Sequence, residues 1–69
     1  IEFTLRESAH VTITIYNALG AIVQTIASKE FPAGHNTATW DASSHEVGLY
    51  FYRINVGSQS ETKSLVIMR

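Results

Sequence analysis

Few side chains in this sequence could do chemistry. Histidines stand at His10, His35 and His45, and the stretch Asp41, Ser43, Ser44, His45 holds the residue types of a hydrolase triad. A zinc site needs ligands at short, repeated spacings, and these histidines share no such spacing. A triad is a matter of geometry, and no nucleophile-elbow glycine pattern surrounds the two serines. Trp40 beside an exposed Tyr16 or Phe51 would make a stacking platform for a sugar. In a domain this small, a single tryptophan more commonly plugs the core. There is no glycine-rich phosphate loop and no cysteine. The residues therefore predict no enzyme activity, no structural metal and no cofactor, and leave binding or structure as the role.

The composition narrows the frame that must position these residues. With 69 residues the chain is one domain near the lower limit for independent folding. Its hydrophobic content of 45% is enough for one core, and without cysteine no disulfide can staple that core. A net charge of −1, spread over scattered charges of both signs, argues against a nucleic-acid partner and against a polybasic membrane anchor. No apolar run approaches the ~20 residues of a membrane helix, so membrane insertion is not expected. No signal peptide is visible, and Ile1 already lies in a strand pattern. The expectation is a fragment of a longer protein.

The elements read as strands throughout. Gly48 to Val56 is the densest run of aromatic and branched residues and forms the expected central strand. Tyr50, Tyr52, Ile54 and Val56 alternate toward the core, with Leu49, Phe51, Arg53 and Asn55 on the other face. Ile1 to Arg6 and Val11 to Tyr16 also alternate, separated by a polar turn over Glu7 to His10. Asn17-Ala18-Leu19-Gly20 is a turn leading into Ala21 to Ala27. There the adjacent Ile22 and Val23 break the period and call for a β-bulge or a strongly twisted edge. A helix over Ala18 to Ser28 competes, but Gly20 and four β-branched residues disfavour it. Pro32 to His35 is a turn, Asn36 to Asp41 a strand, Ala42 to Val47 a polar loop, and Gln59 to Arg69 the last strand. Tyr50, two residues past Gly48, is placed like a tyrosine corner. The pattern predicts an all-β, antiparallel sandwich of about six or seven short strands, with Phe3, Val11, Ile13, Ile15, Val23, Trp40, Tyr50, Ile54 and Val66 in one core.

The last hairpin admits two registers. A two-residue loop at Gly57-Ser58 places Glu61 opposite Ile54 and Lys63 opposite Tyr52, on the core face. Because burying unpaired charge is costly, a three-residue loop is expected instead, although Gly57-Ser58 suits the shorter one. In that register Leu65 and Ile67 turn outward beside Leu49 and Phe51. Lys63 and Arg69 then flank an apolar patch, and Leu49, Phe51, Lys63, Leu65, Ile67 and Arg69 become the expected partner-binding residues.

Four stretches in order carry a resemblance. They are Ile13 to Gly20 (ITIYNALG), Phe31 to Asp41 (FPAGHNTATWD), Gly48 to Ile54 (GLYFYRI) and Lys63 to Arg69 (KSLVIMR). Together they resemble the type A C-terminal sorting domain of type IX secretion cargo, over nearly the whole chain. No single piece is specific; the four in this order make the signal, among them the Leu-Gly turn and the terminal lysine, apolar run and basic end. Lys63 stands alone where many members have two adjacent basic residues. The resemblance implies an immunoglobulin-like β-sandwich at the C-terminus of a longer secreted protein. It implies a fused N-terminal cargo domain, and a type IX translocon and a sortase as partners. It also implies passage through the periplasm and outer membrane, ending at the cell surface or secreted. A similar immunoglobulin-like domain occurs in flagellar hook-capping proteins. A passive spacer or a carbohydrate-binding accessory module is the competing role.

Overall fold

A computed structural model describes residues 1–41, 43 and 45–68. It contains six strands: β1 (Glu2–Leu5), β2 (Ala9–Asn17), β3 (Ile22–Phe31), β4 (Gly34–Thr37), β5 (Gly48–Val56) and β6 (Gln59–Ile67). They form a four-stranded sheet in the order β3-β2-β5-β6 and a two-stranded sheet of β1 and β4, with every pairing antiparallel. The chain leaves the larger sheet after β3, pairs β4 with β1, and returns to lay β5 beside β2. This is the expected all-β, immunoglobulin-like sandwich.

Alternation drives the packing. Val11, Ile13 and Ile15 of β2 are completely buried. Their partners on β5 are Val56, Ile54 and Tyr52, so the core face of β5 is the one read from its pattern. From the smaller sheet Leu5 and Phe3 press down onto Phe31 and Ala38, with the Phe3 and Phe31 rings edge to face at 5.0 Å. The broken period of β3 resolves as two register shifts against β2, one between Ile13 and Thr14 and one between Ile15 and Tyr16. Each adds a residue to β3, which lets Ile26 and Ala27 both pack against the core.

Side chains fix the turns. The Asn17 carboxamide oxygen accepts from the amides of Leu19 and Ala21, both at 3.0 Å, and Gly20 takes φ +87°. This Asx-type bonding, with a glycine in the left-handed region, makes the Asn-Ala-Leu-Gly turn specific. Asn36 is buried, and its amide nitrogen donates to the carbonyls of Pro32 (2.9 Å) and Gly34 (3.2 Å), pinning the passage from β3 to β4.

Several expectations need correction. The β5–β6 register is the two-residue one, with Tyr52 opposite Lys63, Ile54 opposite Glu61 and Val56 opposite Gln59. Gly57 at φ +58° occupies the first central position, as a II′-type turn requires. Charge is tolerated on the core side here because the smaller sheet does not reach over this end of β6. Glu61 and Lys63 are both exposed and lie 3.4 Å apart. In this register Val66 leaves the core and is 58% exposed, while Ile67 is buried. Strand β4 ends at Thr37, so Trp40 lies beyond it and is only partly buried. The expected turn at Glu7 to His10 gives way to β2 at Ala9. Strand β3 runs on to Phe31, because Ala9 to Thr12 and Ser28 to Phe31 pair.

Candidate functional site

The histidines do not converge. The His10 ring lies 3.2 Å from the Ser28 hydroxyl on the outer face, and His35 lies 3.5 Å from Glu2 across the β1–β4 pair. His45 stacks near Trp40, with ring centroids 5.1 Å apart. Among the described residues, no three acidic, histidine or cysteine side chains form a metal-binding group.

The Trp40, His45 and Tyr50 rings form one aromatic cluster beside the loop that precedes β5. Trp40 meets Tyr50 edge to face at 5.6 Å, and its indole N–H donates to the Gln24 side-chain carboxamide oxygen at 3.2 Å. The Tyr50 hydroxyl donates to the Glu46 carbonyl at 2.9 Å, four residues upstream, which is the bond expected of a tyrosine corner. Asp41 accepts from the Ser43 amide at 3.0 Å. That backbone bond, aided by the Ser43 side chain and the nearby His45, holds the Asp41 carboxyl below its ordinary value. These contacts join Trp40, His45 and Glu46 to Tyr50 at the start of β5. The rings meet edge to face or tilted, and Trp40 stays partly exposed.

The partner-binding residues read from the sequence fall on two faces. Leu49 and Phe51 point outward as expected, and Leu49 is 46% exposed. Leu65 and Ile67 point to the core face, opposite Tyr50 and Gly48. Lys63 is exposed on that same core-side face. Arg69 lies outside the described residues. Val66, directly opposite Leu49, takes the outward place expected of Leu65 and Ile67. Met68, at 82% exposure, follows it at the end of β6. Phe51 is the cross-strand partner of Tyr16, which pairs in turn with the exposed Ile22 of β3. One end of the larger sheet's outer face is therefore apolar across all four strands. Arg53 borders it, with its guanidinium 5.5 Å from the Tyr16 ring. The correct loop length at Gly57-Ser58 was the available signal for Val66 and Met68.

On the opposite face, an open cleft of about 450 Å³ separates β1 from the β5–β6 hairpin. Phe3, Leu5, Ile54 and Val56 line it, with Glu7 and Glu61 among its polar lining residues. This cleft is where the two-stranded sheet stops short of covering the four-stranded one.

The family described as the Secretion system C-terminal sorting domain matches residues 1–68. The chain belongs to this family. No curated protein and no solved structure matches it. The match covers all six strands, so the sandwich described above is the sorting domain itself. Such a domain is a C-terminal signal for type IX secretion. It interacts with the secretion machinery and is attached to an N-terminal cargo. It marks that cargo for passage across the outer membrane, to the cell surface or the medium. The sorting domain is not catalytic; the activity of any cargo is a separate matter.

Proposed function

We propose that residues 1–69 are the C-terminal domain of a longer secreted protein, and that its β5–β6 hairpin is the part the type IX machinery reads. The observation that carries this reading is the exposed apolar end of the hairpin. Leu49 and Val66 sit opposite one another on the outer face, with Phe51 and Met68 beside them. Exposed apolar surface of this kind, contiguous over several strands, marks a binding site more often than chance. The positive charge of Lys63 on β6, with that of Arg69 later in the sequence, supplies the polar part of the address. Leu65 and Ile67 contribute by anchoring that strand to the core, not by touching the partner. A sortase then removes the domain and joins the cargo to the surface.

The test is a periplasmic reporter fused to the domain in a type IX-competent host. The double variant Lys63→Ala with Arg69→Ala, and separately Leu49→Ser with Val66→Ser, should keep the fold and retain the reporter in the periplasm. Replacing the loop residues Ser43 to Glu46 should leave export unchanged. Normal surface display by both folded double variants would remove the hairpin from the recognition model.

A further inference from the structure

The two sheets have four edges, and they are not equally protected. Strands β1 and β4 are only four residues long. Strand β3 is interrupted by two register shifts, a device that discourages pairing with another chain. Strand β6 differs from all of them. It pairs with β5 over nine consecutive positions without a shift, and among the described residues nothing pairs with its other edge. It contains no proline and no glycine. A long, regular, unpaired edge is a template for another strand.

We propose that two copies of this chain pair through β6, antiparallel, about a two-fold axis that passes between the two Thr62 residues. Charge complementarity selects this register. In an antiparallel pair, residues directly opposite one another share a face of the sheet. A two-fold perpendicular to the sheet must therefore be centred on a residue facing its own copy. Centring on Glu61 or on Lys63 puts like charges face to face. Centring on Ser64 sets Glu61 against the buried Ile67 position and Lys63 against Leu65. Centring on Thr62 sets Glu61 opposite Lys63 of the second copy and Lys63 opposite its Glu61, so both ion pairs form at once. The isologous symmetry repeats each contact. Gln59 then faces Leu65, and Ser60 faces Ser64.

Glu61 and Lys63 are free to do this. Both are exposed, at 68% and 57%, and their present partner is each other. An exposed ion pair of this kind contributes little by itself, so exchanging it for the cross-chain pairs costs little. The smaller sheet stops short of this end of β6, where an open cleft remains, so among the described residues nothing on the core side obstructs a second copy. The dimer would be one continuous eight-stranded sheet, and it would remove the unprotected edge from solvent.

Sedimentation of the purified chain from micromolar to millimolar concentration tests the pairing, with no export machinery involved, so its outcome is separate from the hairpin's role in secretion. The expected result is a concentration-dependent monomer–dimer equilibrium. Glu61→Lys alone and Lys63→Glu alone should each weaken association by about tenfold or more, since two attractive cross-strand pairs become two repulsive ones. The double reversal Glu61→Lys with Lys63→Glu should restore the parent affinity. The natural chain has no cysteine, so a single introduced one reports the register. Thr62→Cys should form a disulfide-linked dimer under mild oxidation. Ser60→Cys should not, because in this register the two copies of residue 60 are about 13 Å apart along the strands. Thermal melts of each variant confirm that it is folded. A parent chain that stays monomeric throughout overturns the proposal. So does a dimer indifferent to the single reversals, one not rescued by the double reversal, or one in which residue 60 cross-links as readily as residue 62.

Discussion

The two halves of the larger sheet are built differently. The β2–β3 half lies under β1 and β4: Val11, Ile13 and Ile15 of β2 expose nothing and Phe31 of β3 very little, Leu5 of β1 is buried above them, and Ile26 and Ala27 of β3 are partly buried against this core. The β5–β6 half extends past the smaller sheet. Its inward residues Tyr50, Tyr52, Ile54, Val56 and Leu65 are only partly buried, and its outward ones include Leu49, Val66 and Met68. The lesson is that stability and recognition are divided between them. The covered half supplies the packing that folds a 69-residue chain. The uncovered half carries apolar groups and a strand edge that the fold itself does not use. Both belong to one sheet, joined where β2 pairs with β5.

Substitutions on the two sides should differ in size, beginning in the covered half. Ile13→Ala should cost about 2–5 kcal/mol, because the cavity it leaves is closed on all sides. That is a large share of the stability of a small domain, so chemical denaturation should show the variant largely unfolded. A midpoint close to the parent's would mean that the two sheets are not packed as described. Trp40→Ala should cost less than the ~3–5 kcal/mol of a fully buried ring, since the indole is half-covered by Tyr50 and His45.

Tyr50→Phe removes only the hydroxyl that donates to the Glu46 carbonyl. A loss of about 0.5–1.5 kcal/mol is expected, with the loop before β5 becoming faster in hydrogen exchange while the β2–β3 amides keep their protection. Uniform acceleration would show that the corner supports the whole sandwich and not just its loop. Val66→Ser, in the uncovered half, should change stability by no more than about 0.5 kcal/mol. A loss comparable to that of Ile13→Ala would put Val66 back in a core.

The smallest effect concerns Asp41. Its folded carboxyl is held low, first by the Ser43 amide, so it stabilises the fold at pH values above its ordinary 3.8. That contribution fades as pH falls through the folded value. Melting temperatures of the parent and Asp41→Asn should therefore differ slightly at neutral pH and converge in acid. A gap that widens in acid would reverse the sign of the linkage.

Much of this architecture was legible in the residues. The central strand spans Gly48 to Val56 as its composition indicates, since aromatic and branched residues suit a pleated, half-buried surface. The bulged β3, the Asn17–Gly20 turn and the Tyr50 corner each follow from local chemistry that acts within a few residues. What was not legible was how far the second layer extends. The cost of burying Glu61 and Lys63 argues for turning them outward only if a sheet covers them, and the length of β1 and β4 is a tertiary property. The wrong loop length then exchanged Leu65 and Ile67 with Val66 and Met68, because a one-residue slip reverses every side chain. Phe31 and Ala38 are not legible as core residues, because they flank a turn and a short strand, where alternation is too brief to read.

The division between a covered half that folds and an uncovered half that is read can be tested in one assay. The reporter fusion carrying Leu49→Ser and Val66→Ser is compared with its parent for surface display, after confirming an unchanged melting temperature. The assignment predicts a folded domain whose reporter stays in the periplasm. A folded double variant that delivers its reporter to the cell surface as well as the parent does would contradict it.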